Sequence, residues 1–406
     1  MKIALLTLGS RGDVQPYAIL GRALAQRGHD VTLSTTKPFA NLVQSYGIHF
    51  HPIQADYQAL IQSEEGKQLL KANPFVIQRN LEKWIYPLAE HSLDEFYQLA
   101  LTSDRILYHP KTLVHVFADR MLHKMIGAIL VPALQPTSEF PNPALSGFPI
   151  PNFLNRWSYA LTSLSIKMFQ KPIQKFREKH ALSLQYDSVS HPFIYGISPT
   201  FLAKPTDYPD HHYFTGFWFD RHPQKLDSKI EKFLAEGDPP LVFTLGSMPF
   251  QSQIELPQLI LAIAEQFDIR IILVKGWGID DTTKLAHDER IYIVDSVPYD
   301  ALFPHVKAIV HHGGIGTTAE CLRAGKPMLI CPILHPVGDQ KFWGDLVYQK
   351  KIGVKPLPLA KATFKAFLES IERLLNNEEL YNNSKKISEQ ISCEDGIGRA
   401  ISIVEN

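Results

Sequence analysis

AIVHHGGIGTTAECLRAGKPMLICPILHPVGDQKFWG, residues 308–344, decides how the rest of the chain is read. Ala308 to His311 is short and apolar, as a buried strand requires. Glycines at 313, 314 and 316 make a turn where the backbone approaches a ligand without a Cβ in the way. A helix is expected from about Thr317, and its unpaired N–H groups and positive dipole end face that turn. A second strand and an acidic loop follow. Strand, Gly-rich turn and helix in this order suit a diphosphate carrying a sugar, held without a metal ion. His312 is placed to donate to a phosphate oxygen; packing as a loop histidine is its other use.

HHGGIGTTAE followed in order by GDQKFWG resembles the donor-site signature of the inverting nucleotide-sugar glycosyltransferases of family 1, in the branch that acts on sterols, glycolipids and antibiotics. The pair of motifs is far more specific than a lone Gly-rich loop. The resemblance implies an α/β chain of GT-B architecture, two Rossmann-like doubly wound domains facing a central cleft, with the donor in the second and the acceptor in the first. It also implies roles for single residues. His312, Gly314, Gly316, Thr317 and Ser247 would hold the donor phosphates. Val297 and Trp277 would flank the base, and Glu320, eight residues after His312, would accept from the ribose diol. Asp339 and Gln340 would read the sugar hydroxyls. Each has a plainer use: a turn or N-cap for Ser247 and Asp339, packing for Trp277, a solvent-facing helix position for Glu320. The loop LHPVGDQ is longer than the one that usually precedes GDQ, which leaves the sugar open.

Outward from this stretch, the N-terminus repeats the theme. Lys2 to Leu8 reads as a strand, GSRGD as a turn, Val14 to Gln26 as a helix with Gly28 just past its end, and Val31 to Thr35 as a second strand. This βαβ unit implies a parallel sheet with functional groups in the loop after the first strand, which holds Asp13. GSRGDVQP and RGHDVTL resemble the N-terminal domain of the same branch, where an aspartate at this position is the general base. An ordinary carboxylate, titrating near about 4, is ionised at neutral pH and able to take a hydroxyl proton. Capping the following helix is the competing use.

The chain has 406 residues, enough for two domains. Apolar residues at 45% supply two cores, and Lys plus Arg balance Asp plus Glu at 41 each, so nothing draws the chain to nucleic acid. Three cysteines form neither a disulfide framework nor a metal cluster and are read as packing residues in a reducing cytosol. No apolar run approaches the roughly 20 residues that span a bilayer. Residues 1–203 are read as the acceptor domain, 204–240, rich in proline, as the linker region, 241–390 as the nucleotide-sugar domain, and 391–406 as a helix that in the family crosses back to the first domain. Aromatic residues between 55 and 185, with Phe75, Trp84 and Phe140 foremost, are the acceptor-pocket candidates, with filling core as the alternative; Glu139 and His109 are candidates to hydrogen-bond an acceptor, with solvation as theirs. Lys167, Lys171, Lys175 and Lys179 recur every four residues, either a basic face for an anionic membrane or an ordinary solvated face, and Pro172 argues against one continuous helix.

The resulting expectation is a cytosolic, monomeric enzyme that transfers a hexose, glucose from UDP-glucose, with inversion to a hydroxyl of a lipophilic acceptor. Asp13 is its base, and it uses no metal or other cofactor. A dTDP-rhamnose-type transferase acting on a glycolipid, a sugar-nucleotide epimerase and a non-catalytic nucleotide-sugar sensor are the alternatives.

Overall fold

Alternation along the first strand sets up both faces of the first sheet. Ile3 and Leu5 join one buried cluster with Val14, Tyr17 and Leu20 of the helix Arg11–Gln26, while Ala4 and Leu6 join another with Leu93, Phe96 and Phe176. A strand buried on both faces belongs inside a parallel sheet covered by helices on each side. The computed structural model describes residues 1–54, 81–184, 191–222, 224–246, 254–275 and 282–406, which form two compact units.

Among the described residues of the first unit, β1 (Lys2–Leu6), β2 (Asp30–Thr36), β3 (His49–Ile53), β4 (Arg105–Tyr108), β5 (Met125–Ile129), β6 (Phe193–Tyr195) and β7 (His212–Phe214) form a parallel sheet in the order β3-β2-β1-β4-β5-β6-β7. In the second unit, β8 (Leu241–Thr244), β9 (Ile271–Val274), β10 (Ile291–Val294), β11 (Ala308–His311) and β12 (Met328–Ile330) run parallel in the order β10-β9-β8-β11-β12. Each order reverses direction once, between β1 and β4 and between β8 and β11. At such a switch point the loops leave in opposite directions and open a crevice beyond the carboxyl ends of the strands.

Boundaries differ from the sequence reading in ways that packing explains. The expected linker 204–240 contains β7, which pairs with β6, and the helix Ser228–Ala235, whose Ile230 and Phe233 are buried. The first unit takes residues 1–137, 159–219 and 395–406, and the second takes 138–158 and 220–394. Within the first unit the last helix, Gly396–Glu405, buries Ala400, Ile401 and Val404 against the first core, and Glu405 takes both arms of the Arg27 guanidinium at 2.7 and 2.8 Å. Two helix starts lie earlier than expected, at Arg11 and Ile315, because Ser10 and Gly314 hold the extended N-cap conformation. Cys321 and Cys331 are buried as packing residues, whereas Cys393 is exposed.

The lysine series is split as Pro172 suggested, into helices Ala160–Met168 and Gln170–Lys179. Lys171, Lys175 and Lys179 pair with Glu82, Glu90 and Asp94, so carboxylates neutralise much of the expected basic stripe. Among the described residues no helix is long and apolar enough to cross a membrane.

Candidate active site

At the switch point of the second sheet, the loops after β8 and β11 meet around His312. Gly313 takes φ +93°, a conformation only glycine adopts without strain, and this turns the chain from β11 into the helix Ile315–Arg323. The first backbone rung of that helix is Thr318 N–H to Gly314 C=O at 3.0 Å, and Gly314 offers no side-chain cap. The amides of Ile315, Gly316 and Thr317 are therefore the unfilled donors of the first turn. A Cβ at Gly316 would meet no atom of the described residues within 4 Å beyond the helix's own backbone.

The two adjacent histidines part company here. His311 is fully buried and satisfied, its Nδ1 accepting from Gly313 N–H at 3.2 Å. His312 is wedged between two glycines: a Cβ on Gly246 would lie 2.6 Å from its Cε1, and one on Gly314 would lie 2.6 Å from its Nε2. Its Nδ1 is buried with no hydrogen-bond partner. Burial pushes its pKa down to about 4, so the ring is neutral across the physiological range. An orphaned nitrogen beside unfilled helix amides is the kind of donor set from which an anion site is built. Ser247 lies outside the described residues; Gly246, which the sequence reading passed over, is the residue of that loop seen against His312.

Glu320 lies about one turn further along the same helix. Its Oε2 is 2.9 Å from Arg323 Nη2, and the same guanidinium nitrogen is 3.9 Å from Asp300. Burial, with Asp300 and Asp220 adding to it against the pull of Arg323, raises the Glu320 pKa to about 7. Below about pH 4.5, its ordinary value, this group is protonated in folded and unfolded chains alike and contributes nothing. From there to about 7 the unfolded chain ionises while the folded chain keeps its proton, so stability falls as pH rises, and the loss is complete above about 7. In thermal melts, Glu320→Gln is therefore expected to gain on the wild type steadily across that interval; a constant difference would contradict the assignment.

Val297, half-buried, follows β10 in the loop where the base was expected. An open depression of about 540 Å³ along that edge strand is lined by residues including Lys275, Tyr292, Asp295 and Ser296. Trp277 is outside the described residues. The two expected sugar readers have structural duties. Gln340 is buried, and its Oε1 accepts from Ile333 N–H at 2.7 Å and Leu334 N–H at 2.9 Å. Asp339 occupies the N-cap position of the helix Gln340–Gln349, but its Oδ2 takes the Trp343 indole N–H at 2.8 Å instead of a backbone amide.

The switch point of the first sheet carries Asp13, after β1, and His109 and Lys111, after β4. Ser10 N–H and Ser10 O–H donate to Asp13 Oδ2 at 2.8 and 3.1 Å, and the Lys111 ammonium donates to Oδ1 at 2.6 Å. The carboxylate sits so close over Gly9, at φ +136°, that a Cβ there would lie 2.2 Å from Oδ2. Burial raises the Asp13 pKa, but the charge of Lys111, that of His109 once acid protonates it, and the bonds from Lys111 and Ser10 outweigh it, and the net shift is downward. His109 is buried; its Nδ1 accepts from Lys111 N–H at 3.1 Å, which leaves the proton on Nε2, 3.8 Å from Asp13 Oδ1. Desolvation holds that imidazole neutral, its pKa down to about 4. Asp13 is therefore not the N-cap that the sequence suggested: Ser10 holds that position because the helix starts three residues earlier, and the Asp13 carboxylate, at N3, reaches back to the N-cap amide with one oxygen while the other turns to Lys111.

Two family models match the chain: the glycosyltransferase family 28 N-terminal domain over residues 3–101, and the erythromycin biosynthesis protein CIII-like C-terminal domain over residues 258–396. A sterol 3-beta-glucosyltransferase of Arabidopsis thaliana is 30% identical to this chain over 99% of it and 67% of the relative's length. The chain belongs to the family-1-type glycosyltransferases. An O-mycaminosyltylonolide 6-deoxyallosyltransferase of Streptomyces fradiae is 29% identical over 100% of this chain and 97% of its own. The chain spans much less of the sterol 3-beta-glucosyltransferase of Yarrowia lipolytica, 28% of its length. Among solved structures, the kitacinnamycin glycotransferase superposes with a TM-score of 0.74 at 16% identity, covering 100% of this chain and 98% of that one. The glycosyltransferase VinC, solved in complex with dTDP, gives 0.67 at 15%, covering 100% of both chains. These structural likenesses establish the fold as GT-B.

The acceptor candidates of this glycosyltransferase scatter. Phe75 is outside the described residues. Trp84 is 36% exposed beneath the Lys83 ammonium, 4.6 Å from its ring centre. Glu139 is exposed, and Phe140 packs its ring against Phe342 at 5.2 Å within the second unit, not in the acceptor domain where it was expected. Lys111 and His109 are the residues that sequence reasoning undervalued. YHPKT follows a recognisable strand, and the loop after a strand next to β1 was the signal available.

Proposed function

We propose that this glycosyltransferase moves a hexose, glucose from UDP-glucose, to a hydroxyl of a lipophilic acceptor of the sterol, terpenoid or polyphenol kind, with inversion and without a metal ion. The observation that carries the reading is the donor set at His312, where an unpartnered nitrogen and unfilled helix amides supply the stabilisation a leaving diphosphate needs. The names of the sterol-glucosylating relatives support the acceptor class.

The acceptor O–H gives its proton to Asp13 while its oxygen bonds to the anomeric carbon, and the bond from that carbon to the diphosphate oxygen breaks. An α-linked donor yields a β-glycoside and UDP. Lys111, more than half exposed, is free to swing from Oδ1 as the hydroxyl arrives. Its charge keeps Asp13 ionised meanwhile. A dTDP-deoxysugar donor is the second reading, favoured by the Streptomyces fradiae relative and its 6-deoxyallosyl group.

The test is nucleotide release from UDP-glucose and from a dTDP-deoxysugar over sterol, triterpenoid and flavonoid alcohols, with chelator present. Acceptor-dependent UDP release and a β-linked product are expected. Release only with the dTDP donor moves the assignment to the second reading. Nucleotide binding with no transfer from either donor to any acceptor sinks the proposal in favour of a sensor.

A further inference from the structure

The stretch 138–158, which the sequence placed in the acceptor half, packs in the second unit against the loop that leads to Asp339. The Gly338 N–H donates to Ala144 C=O at 2.8 Å, and Ser146 O–H donates to Gly338 C=O at 3.3 Å. Gly147 abuts Pro336 so closely that a Cβ would lie 2.2 Å from its carbonyl oxygen and 2.5 Å from its Cα. Those are backbone atoms and have no rotamer by which to yield. The bracing stretch is itself tied down: buried Asn142 accepts from Ala144 N–H at 3.0 Å and donates its own N–H to Ser158 Oγ at 2.7 Å, and Asn155 Nδ2 donates to Ser138 C=O at 2.9 Å.

Gln340 holds the same loop from inside through the amides of Ile333 and Leu334. Residues 333–339 are thus clamped on two sides, at the place where the loop is longer than the pattern it resembles. The His312 turn is built on the neighbouring strand, β11, and takes no part in the hydrogen bonds that clamp the loop, although Gly313 packs against Gln340, where a Cβ would lie 3.0 Å from the Gln340 carbonyl oxygen.

We infer that Ser146 and Gly147 are positioning residues for donor-sugar selection: they brace loop 333–339 and so set where Asp339 meets the sugar, leaving nucleotide diphosphate binding to the His312 turn. This rests on the reading of Asp339 as a sugar-facing residue.

The experiment compares wild type, Ser146→Ala and Gly147→Ala by calorimetric titration with UDP and with UDP-glucose, alongside kcat/KM for UDP-glucose and UDP-galactose. Gly147→Ala is expected to weaken UDP-glucose about tenfold and change the glucose-to-galactose ratio at least fivefold, with UDP affinity unchanged within twofold. Ser146→Ala, which removes a hydroxyl without a collision, is expected to move the same quantities two- to threefold and carries the test should the glycine variant melt early. Parallel losses for UDP and UDP-glucose, or no change in either, overturn the inference. A wild type that binds neither UDP nor UDP-glucose overturns the functional reading beneath it, a result distinct from both.

Discussion

Asp13→Asn is expected to lower kcat by about 10²–10⁴-fold, the range that a positioned general base supplies, while leaving nucleotide binding intact. Asparagine is the informative choice because its amide oxygen can still accept from Ser10 N–H, which the carboxylate now does at 2.8 Å, so the start of helix Arg11–Gln26 is retained. What it loses is the charge opposite Lys111; the carboxylate is largely buried but the ammonium is more than half exposed and can turn to water, so the loss of stability is expected to stay on the order of 1 kcal/mol. A steady-state assay with UDP titration and a melt therefore separates the chemical loss from any structural one. The downward shift of the Asp13 pKa adds a second expectation. The base stays ionised below the ordinary carboxylate range, so the acid limb of kcat/KM lies to the acid side of an ordinary aspartate's, and Lys111→Met moves it upward. Full turnover in Asp13→Asn would remove Asp13 from the reaction.

His312→Ala is expected to lower kcat/KM for the donor by about 10²–10³-fold, as for loss of one preorganised donor to a developing oxyanion. Its Nδ1 makes no bond that the substitution breaks, but the ring fills the space between the glycines at 246 and 314, so a moderate loss of stability from the void is expected and a melt separates it from the catalytic loss. Unlike an ordinary histidine, this one is held neutral, with a pKa near 4, so the ratio of wild-type to variant rates should be flat from about pH 5.5 to 8. A ratio that collapses above pH 6.5 would mean that a charged imidazolium does the work.

The local architecture was legible because its signals are local. Alternating or continuous apolar runs marked β1 and β11, and Gly28 and the glycines at 313, 314 and 316 marked the ends and starts of helices. Part of the setting of His312 was local too, since Gly314, two residues on in sequence, is its neighbour in space. Its companion Gly246 came less easily, because parallel pairing of β8 with β11 brings the two loops together.

The partners of each side chain were another matter. Asp13 and Lys111 are 98 residues apart and meet because β1 lies beside β4. Gln340 was read as facing a sugar, and its amide oxygen holds two backbone amides of its own loop. Phe140 and the stretch around Gly147 were assigned to the acceptor half, and they pack against Phe342 and Pro336.

By itself, then, the amino-acid sequence determined that two βα-rich halves would form parallel sheets, that a glycine turn and a helix start would follow β11, and that an aspartate would follow β1. Periodicity and backbone sterics act over a few residues, so these features are written in short stretches. Only the tertiary structure decided that Lys111 opposes Asp13, that His312 keeps an unpartnered nitrogen while His311 does not, and that residues 138–158 clamp the loop before Asp339. Those outcomes depend on which strands become neighbours and which atoms lose water, and both are properties of the packed chain.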